Sequence, residues 1–282
     1  MTNKISGYIQ CYQQACLLEL RAIKPGNVGY HSSGHGMTVE QFELSSKVSA
    51  APLFSESAGV GERILKAVKA TQVEVADNTN LGIILLVAPI AEVLVNVGYS
   101  QKLRDNLSDV LSRLSISDAK HCYKAIQQAM PGGMGEVDEQ DISSEPDVSL
   151  LKAMQMSAER DRIAYQFANG FSDIFEHNLS IYREYLEKWG SQEWAATAVF
   201  LSQWLREPDS LIIRKNSLLK AREISDMIAP LAKQVLASRD PTDHVSGLLS
   251  LDSELKSAGI NPGTTADLTV VTLFVAMLER QA

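Results

Sequence analysis

The sequence has few of the cysteines that mark secreted or metal-binding proteins. Three occur among 282 residues, Cys11, Cys16 and Cys122, with neither metal-ligand spacing nor the density of a disulfide framework. We therefore expect a reduced, cytoplasmic setting. Cys11 and Cys16 lie five positions apart in an apolar stretch, which favours packing in the core over ligation.

Positive charge is also scarce, since 26 Lys and Arg face 34 Asp and Glu for a net charge of -8. This argues against a nucleic-acid partner, which requires an extended basic surface. A few clustered cations could still bind a small anion in a cleft. The longest apolar run, Ile83 to Val95, is interrupted by Pro89 and Glu92. It is shorter than the roughly 20 apolar residues that span a bilayer, so we expect no membrane partner.

Apolar residues recur at spacings of three and four, and strict alternation is hard to find, which predicts an all-α fold. The length is at the upper edge for one core, and we expect residues 1–282 to form a single large multi-helix domain whose long polar loops shape a cleft. The predicted helices are 5–23, 39–53, 60–75, 81–97, 117–130, 150–169, 174–189, 192–205, 215–237, 245–258 and 265–280.

Polar residues and glycines collect in four long connections, and such connections in compact domains are often functional. In the first, Pro25 and Gly26 predict a type II turn that holds Lys24 close to Asn27. The alternative is a helix terminator with a solvated lysine. His31 and His35 follow in a glycine-containing loop without the Glu of a zinc-binding helix, which disfavours metal binding by this pair.

The second connection is Asp77-Asn78-Thr79-Asn80-Leu81-Gly82, directly before the apolar run. One of its polar side chains is explained as a helix cap. The start of a helix also attracts anions, and glycine allows a phosphate or ribose to approach the backbone. Asp77 could bind Mg²⁺ or accept a proton.

The third connection begins Pro131-Gly132-Gly133-Met134-Gly135 and continues through the acidic residues Glu136, Asp138, Glu139 and Asp141. It lacks the Lys-Ser/Thr of a Walker loop, and its acidic half suits either a solvated loop or a magnesium site. Further along, Arg214 and Lys215, with Lys220 and Arg222, are predicted to open a helix. These cations suit a triphosphate or a solvated helix face.

The last connection, Asn261-Pro262-Gly263-Thr264-Thr265-Ala266-Asp267-Leu268, enters the C-terminal helix. Thr264 or Thr265 is a candidate N-cap, and Asp267 lies where a capping box places its acidic partner. Capping alone is a sufficient explanation of this segment.

Together these motifs resemble the triphosphoribosyl-dephospho-CoA synthase family over nearly the whole chain. The resemblance is carried by the order Lys-Pro-Gly-Asn-Val, Asn-Thr-Asn-Leu-Gly, Arg-Lys and Asn-Pro-Gly-Thr-Thr-Ala-Asp-Leu. It implies an all-helical pentosyltransferase that moves the 5-triphosphoribosyl group of ATP to the 2′-hydroxyl of 3′-dephospho-CoA and releases adenine. It also implies Mg²⁺ and a product used in prosthetic-group biosynthesis.

The form Asn-Thr-Asn-Leu-Gly, where citrate-lyase-associated members read closer to Asn-Thr-His-Lys-Gly, is similar to members from methylotrophs and archaea. A related ribosyl transfer in tetrahydromethanopterin biosynthesis is therefore an alternative, with a pterin-like acceptor. Rivals of other classes are a Mg-dependent nucleotide or ADP-ribose hydrolase and a non-catalytic helical adaptor. A homodimer is compatible with the sequence.

Within the transferase interpretation, residue types suggest individual roles. Displacement at a ribose C1 needs an acceptor oxygen in line, removal of its proton and help for the departing purine, and therefore a group that handles a proton. Asp267 is the first candidate for that group and Glu136 the second, while Asp77 or Asp138 would bind Mg²⁺. Lys24, Arg214 and Lys215 would hold triphosphate oxygens, and the remaining contacts to ATP would come from Gly26, Asn27, Asn78, Thr79, Asn80 and Gly82.

Overall fold

A computed structural model describes residues 2–129 and 144–281, and within these ranges the all-helical prediction is confirmed. No strand forms there, although two isolated β-bridges shape the 29–37 loop. The α-helices are α1 (Thr2–Arg21), α2 (Val39–Leu53), α3 (Val60–Val75), α4 (Leu81–Asn96), α5 (Leu103–Ser112), α6 (Ile116–Ala129), α7 (Leu150–Ser157), α8 (Arg162–Ala168), α9 (Leu179–Trp189), α10 (Gln192–Arg206), α11 (Ser210–Lys215), α12 (Leu218–Ala237), α13 (Val245–Ser257) and α14 (Gly263–Gln281).

Two short helical turns of other types complete the chain order. A π-helix, Asp173–Asn178, leads into α9, and a 3₁₀ turn, Pro241–His244, leads into α13. The predicted helix 150–169 is divided because Asp161 adopts an extended backbone and caps α8, accepting bonds from the amides of Ile163 and Ala164. The sequence interpretation also omitted α5 and α11.

The C-terminal helix α14 lies at the centre of the molecule. It packs against α1, α4, α9 and α10, and nearly all of its side chains are buried. A large apolar cluster joins α14 to the N-terminal helices, and a second cluster around Phe200 and Trp204 joins α10 to α12 and α13. Cys11 and Cys16 are buried in the first cluster, as predicted.

The start of α14 is therefore surrounded by three other chain segments. The turn after α1, the start of α4 and the short helix α11 all reach it, as the contacts below show. In the part of the chain that the structure describes, no helix is long and apolar enough to cross a membrane.

Candidate active site

The segment from Lys24 to Asn27 forms the predicted tight turn. Gly26 has a φ of +84°, and the Asn27 amide donates to the Lys24 carbonyl at 3.0 Å, as in a type II turn. A Cβ atom at Gly26 would lie 3.0 Å from Pro262 Cδ and 3.1 Å from the Ile260 carbonyl oxygen. Glycine is thus required both by the backbone of the turn and by its close approach to the segment before α14.

Two hydrogen bonds fix this turn in place. Asn27 Nδ2 donates to Asn261 Oδ1 at 2.9 Å, which joins residues 234 positions apart. The Gly26 amide donates to Asp252 Oδ1 at 2.8 Å, and Asp252 also forms an ion pair with Lys256 at 3.0 Å. The first and last of the sequence motifs therefore lie side by side.

The ammonium group of Lys24 points inward. Its Nζ lies 2.8 Å from Glu19 Oε1 and donates to Asn27 Oδ1 at 3.1 Å and to the Val28 carbonyl at 2.7 Å. An ammonium has three N–H donors, so all three are occupied. Binding of a triphosphate oxygen by Lys24, as the sequence suggests, would require it to give up one of these bonds.

Glu19, near the end of α1, is a buried carboxylate that the sequence interpretation did not single out. Burial raises the pKa of Glu19, and the neighbouring Lys24 opposes that rise. Its side chain lines a small cleft with a volume of about 10 Å³, roughly the space of one water molecule, together with Asn80 and Phe42.

The second motif leads into α4 with its side chains turned toward α2. Asn80 is buried at the cap position, but its Nδ2 lies 3.4 Å from the Ser45 carbonyl and makes no bond to the helix. Thr79 shares a hydrogen bond with Ser45, and Asn78 Oδ1 accepts a long bond, 3.4 Å, from the Leu81 amide. These polar side chains are thus held mainly by α2, and Asn80 leaves the first-turn amides of α4 to other partners.

Gly82 and Asp267 bring the first turns of α4 and α14 into direct contact. A Cβ atom at Gly82 would lie only 2.7 Å from Asp267 Cγ, so glycine makes the approach possible. Asp267 is partly exposed and accepts no hydrogen bond from the described residues. Its pKa is raised well above the ordinary value, first by burial and then by the charges of Asp209 and Glu19, while Arg214 opposes the rise.

Asp209, the N-cap of α11, ties that helix to α14. One carboxylate oxygen accepts bonds from the amides of Leu211 and Ile212, and the other accepts from the amide and hydroxyl of Thr265 at 2.7 and 2.8 Å. Burial nevertheless raises the pKa of Asp209. Thr265 and its neighbour Thr264 lie inside the first turn of α14, which begins at Gly263, so the prediction that one of them is the N-cap is wrong.

Arg214 and Lys215 end α11 and do not open α12, which begins two residues after Asn216, so that expectation is also wrong. The guanidinium of Arg214 pairs with Asp161 Oδ2 at 3.1 Å and lies close enough to Asp267 to lower its pKa. Lys215 is exposed. Arg214 therefore belongs to the same polar centre, whereas the side chain of Lys215 points away from the core.

The family model described as ATP:dephospho-CoA triphosphoribosyl transferase matches residues 6–282. The chain belongs to this family. It is therefore a transferase, as its motif order suggested, and ATP is the substrate of the family.

A solved structure supports the fold of this transferase independently. The crystal structure of an Archaeoglobus fulgidus protein that carries the provisional name triphosphoribosyl-dephospho-CoA synthase is similar, with a TM-score of 0.67 and 23% identity. The similarity covers 85% of this chain and 98% of that chain. No curated protein matches the chain significantly.

The described residues of this transferase do not form a metal site by themselves. No group of three or more His, Cys, Asp or Glu is placed there to hold an ion. Asp77 offers one carboxylate, and its Oδ1 already accepts from the Asn78 amide at 2.7 Å. His31 and His35 bind the carbonyls of Arg21 and Gly26 respectively, and do not share a ligand. Glu136 and Asp138 lie outside the described residues.

Of the sequence-predicted residues of the transferase, Gly26, Asn27, Gly82, Arg214 and Asp267 lie around the start of α14. Glu19 and Asp209 were missed because an acidic residue inside or capping a helix is ordinary in sequence. A local signal existed for Asp209, since Asp following Pro208 and preceding an apolar turn is a typical N-cap. No local signal existed for Glu19, whose importance depends on the turn that places Lys24 beside it.

Proposed function

We propose that this protein transfers the 5-triphosphoribosyl group of ATP to an acceptor hydroxyl, that of 3′-dephospho-CoA, and releases adenine. The observation that supports this most is the meeting of two helix starts at Gly82 and Asp267, in a chain that matches the family model over residues 6–282. The site combines helix-start amides, which attract anions, with carboxyl groups whose pKa values burial raises, Glu19 and Asp267.

The triphosphate would be bound mainly by backbone. The first turns of α4 and α14 each provide amides without helical partners and the positive end of a helix dipole. The side-chain space at Gly26 and Gly82 is filled by Pro262 and Asp267 respectively, so these glycines serve packing within the protein and do not open the backbone to a phosphate. The fork of Arg214 adds directional donors. Ribose and phosphate contacts then come from Asn27 and the 78–80 segment.

Chemistry at the ribose carbon requires charge and proton handling. The C1–N9 bond breaks through an oxocarbenium-like state, which a neighbouring carboxylate stabilises. Burial raises the pKa of Asp267, which favours its protonated carboxyl group, and this group would supply its proton to the departing adenine. Mg²⁺ would neutralise charge on the triphosphate, with Asp77 as one carboxylate ligand.

The test is product formation by the purified protein with Mg-ATP and dephospho-CoA. We expect adenine by chromatography and a product heavier than dephospho-CoA by one triphosphoribosyl group. Asp267→Asn should reduce the rate by about 100-fold or more, the typical contribution of a general acid. Glu223→Gln makes the matched carboxyl-to-amide change in an exposed ion pair with Lys220 and should leave the rate unchanged.

Other outcomes would assign another function. Adenine release only with a pterin-ribitol precursor would identify the acceptor as an intermediate of tetrahydromethanopterin biosynthesis. A free sugar phosphate formed from ATP or ADP-ribose without any acceptor would indicate a hydrolase. Absence of heat on titration with Mg-ATP would favour the adaptor interpretation.

A further inference from the structure

The Glu19–Lys24 pair is an ion pair that stability alone does not explain. Its atoms lie 2.8 Å apart, and the side chains of Glu19 and Lys24 are 6% and 1% exposed. Removing two charges from water is costly, and such pairs often contribute no more to stability than apolar residues of similar size. The Glu19–Lys24 pair is therefore expected to have a role in the reaction.

The two partners are not equally engaged. Lys24 uses all three of its donors within the protein, on Glu19, Asn27 and Val28. Glu19 Oε1 lies against Lys24, and Oε2 accepts no hydrogen bond from any residue in the described ranges. The carboxylate therefore keeps one oxygen for a ligand, whereas the ammonium keeps no donor.

Glu19 also faces the cleft beside the start of α4. The walls are mostly apolar and carry few polar groups, and the space between them is about that of one water molecule. They are formed by Tyr12, Cys16, Leu20, Phe42, Ser46, Asn80, Ile83 and Val270. The cleft also lies near Asp267, because Ile83 lines it and directly follows Gly82, which packs against the Asp267 carboxyl group.

We propose that Glu19 accepts the proton of the acceptor hydroxyl, and that Lys24 is a positioning residue that keeps Glu19 ionised and oriented. This rests on the proposed function. The acceptor O–C1 bond forms as C1–N9 breaks, the C1–N9 electron pair leaves with adenine, and adenine takes its proton from Asp267. The acceptor proton passes to Glu19 Oε2, and solvent exchange then restores both carboxyl groups.

The groups that surround Glu19 explain why Lys24 controls the pKa of this carboxyl group. From α1 it faces the neutral Cys16 thiol and the Tyr12 hydroxyl, from α14 the carboxyl of Asp267, and the cleft residues from α2 and α4 are uncharged. Burial lowers the pKa of Lys256 of α13, and the charge of Lys24 lowers it further. Burial raises the pKa of Glu19 and Lys24 lowers it, so loss of Lys24 should leave Glu19 protonated to higher pH.

The experiment compares four variants in the adenine-release assay. Glu19→Gln should lower kcat by about 100- to 10,000-fold with a KM for ATP within about threefold of wild type, and Glu19→Asp should recover part of the rate. Lys24→Met should lower kcat and move the acidic limb of the pH profile to higher pH. Lys24→Arg should restore part of both. Glu223→Gln serves as the unaffected control.

Two measurements keep the result independent of folding and turnover. Carbon-13 NMR of labelled glutamate, with Glu19 assigned by its loss in Glu19→Gln, should show its titration moving upward in Lys24→Met. Calorimetry should show an unchanged Kd for Mg-ATP in Lys24→Met.

A tenfold or larger rise in that Kd with an unmoved Glu19 titration would assign Lys24 to the triphosphate and overturn the positioning role. Wild-type rates in Glu19→Gln would overturn the proton-acceptor role while leaving the proposed function intact. Absence of adenine release by the wild type with either acceptor would instead refute the proposed function, and this role with it.

Discussion

The contact between Gly82 and Asp267 can be tested by adding a single methyl group. In Gly82→Ala the new Cβ would lie 2.7 Å from Asp267 Cγ and 3.3 Å from its Cβ, so the carboxyl group must move. Overpacking of this kind costs about 1–3 kcal/mol. Alanine is favoured over glycine within a helix by about 1 kcal/mol, which offsets part of that cost. We expect a net loss of up to about 2 kcal/mol in the free energy of unfolding.

The cost of the same substitution should largely disappear when the carboxyl group is removed. In an Asp267→Ala background only the Cβ atom of residue 267 remains, 3.3 Å from the new methyl group, so Gly82→Ala should lose most of its destabilising effect. Gly7→Ala is the matched control, because its Cβ would meet only the end of the Gln281 side chain, at 3.4 Å, and it should be slightly stabilising.

Urea unfolding of the four proteins of this double-mutant cycle gives the coupling energy directly. We expect about 1–3 kcal/mol between positions 82 and 267. Additive effects, within about 0.5 kcal/mol, would refute the direct contact between the starts of α4 and α14.

Three further predictions concern the charges of the site. Asp267→Asn should raise the free energy of unfolding at neutral pH, because the native state then no longer holds a carboxyl group whose pKa is raised. This gain in stability should vanish as the pH falls through the ordinary pKa of 3.8. A gain that grows on acidification would contradict this sign. Asp209→Ala removes the acceptor of four hydrogen bonds and should cost about 3 kcal/mol or more in urea unfolding, whereas Ser217→Ala, which removes a single exposed cap bond, should cost about 1 kcal/mol. Chelation of Mg²⁺ should weaken ATP binding measured by calorimetry, and equal affinity with and without chelator would remove the metal from the proposal.

Helix positions followed closely from the sequence where an apolar face repeats without interruption. The predicted bounds of α2 and α3 agree with the structure at both ends. The helix 150–169 was predicted as continuous because its apolar spacing persists across Asp161, whereas the structure uses that aspartate as a cap. In α5, the buried residues Leu103, Leu107 and Val110 do show helical spacing, but a short polar segment hides it.

The site was less predictable, because it depends on which segments meet. The motifs indicated polar segments, and the turn geometry at Gly26 followed from Pro-Gly alone. The inward orientation of the Lys24 side chain could not be inferred, since a lysine in a turn is usually solvated. Only the path of the chain from α1 into the turn places Glu19 beside it. Likewise, nothing local to Gly82 indicates that it makes room for Asp267.

The cations of the site are already paired with carboxylates, which limits their use in binding a triphosphate. The cations Lys24 and Arg214 each lie against a carboxylate, Glu19 and Asp161 respectively. Drawing either cation to a triphosphate would leave a buried or partly buried carboxylate uncompensated, which is costly. Helix-start amides carry no such penalty, because their positive ends need no counter-ion. Recognition of the proposed triphosphate is therefore expected to fall mainly on backbone amides.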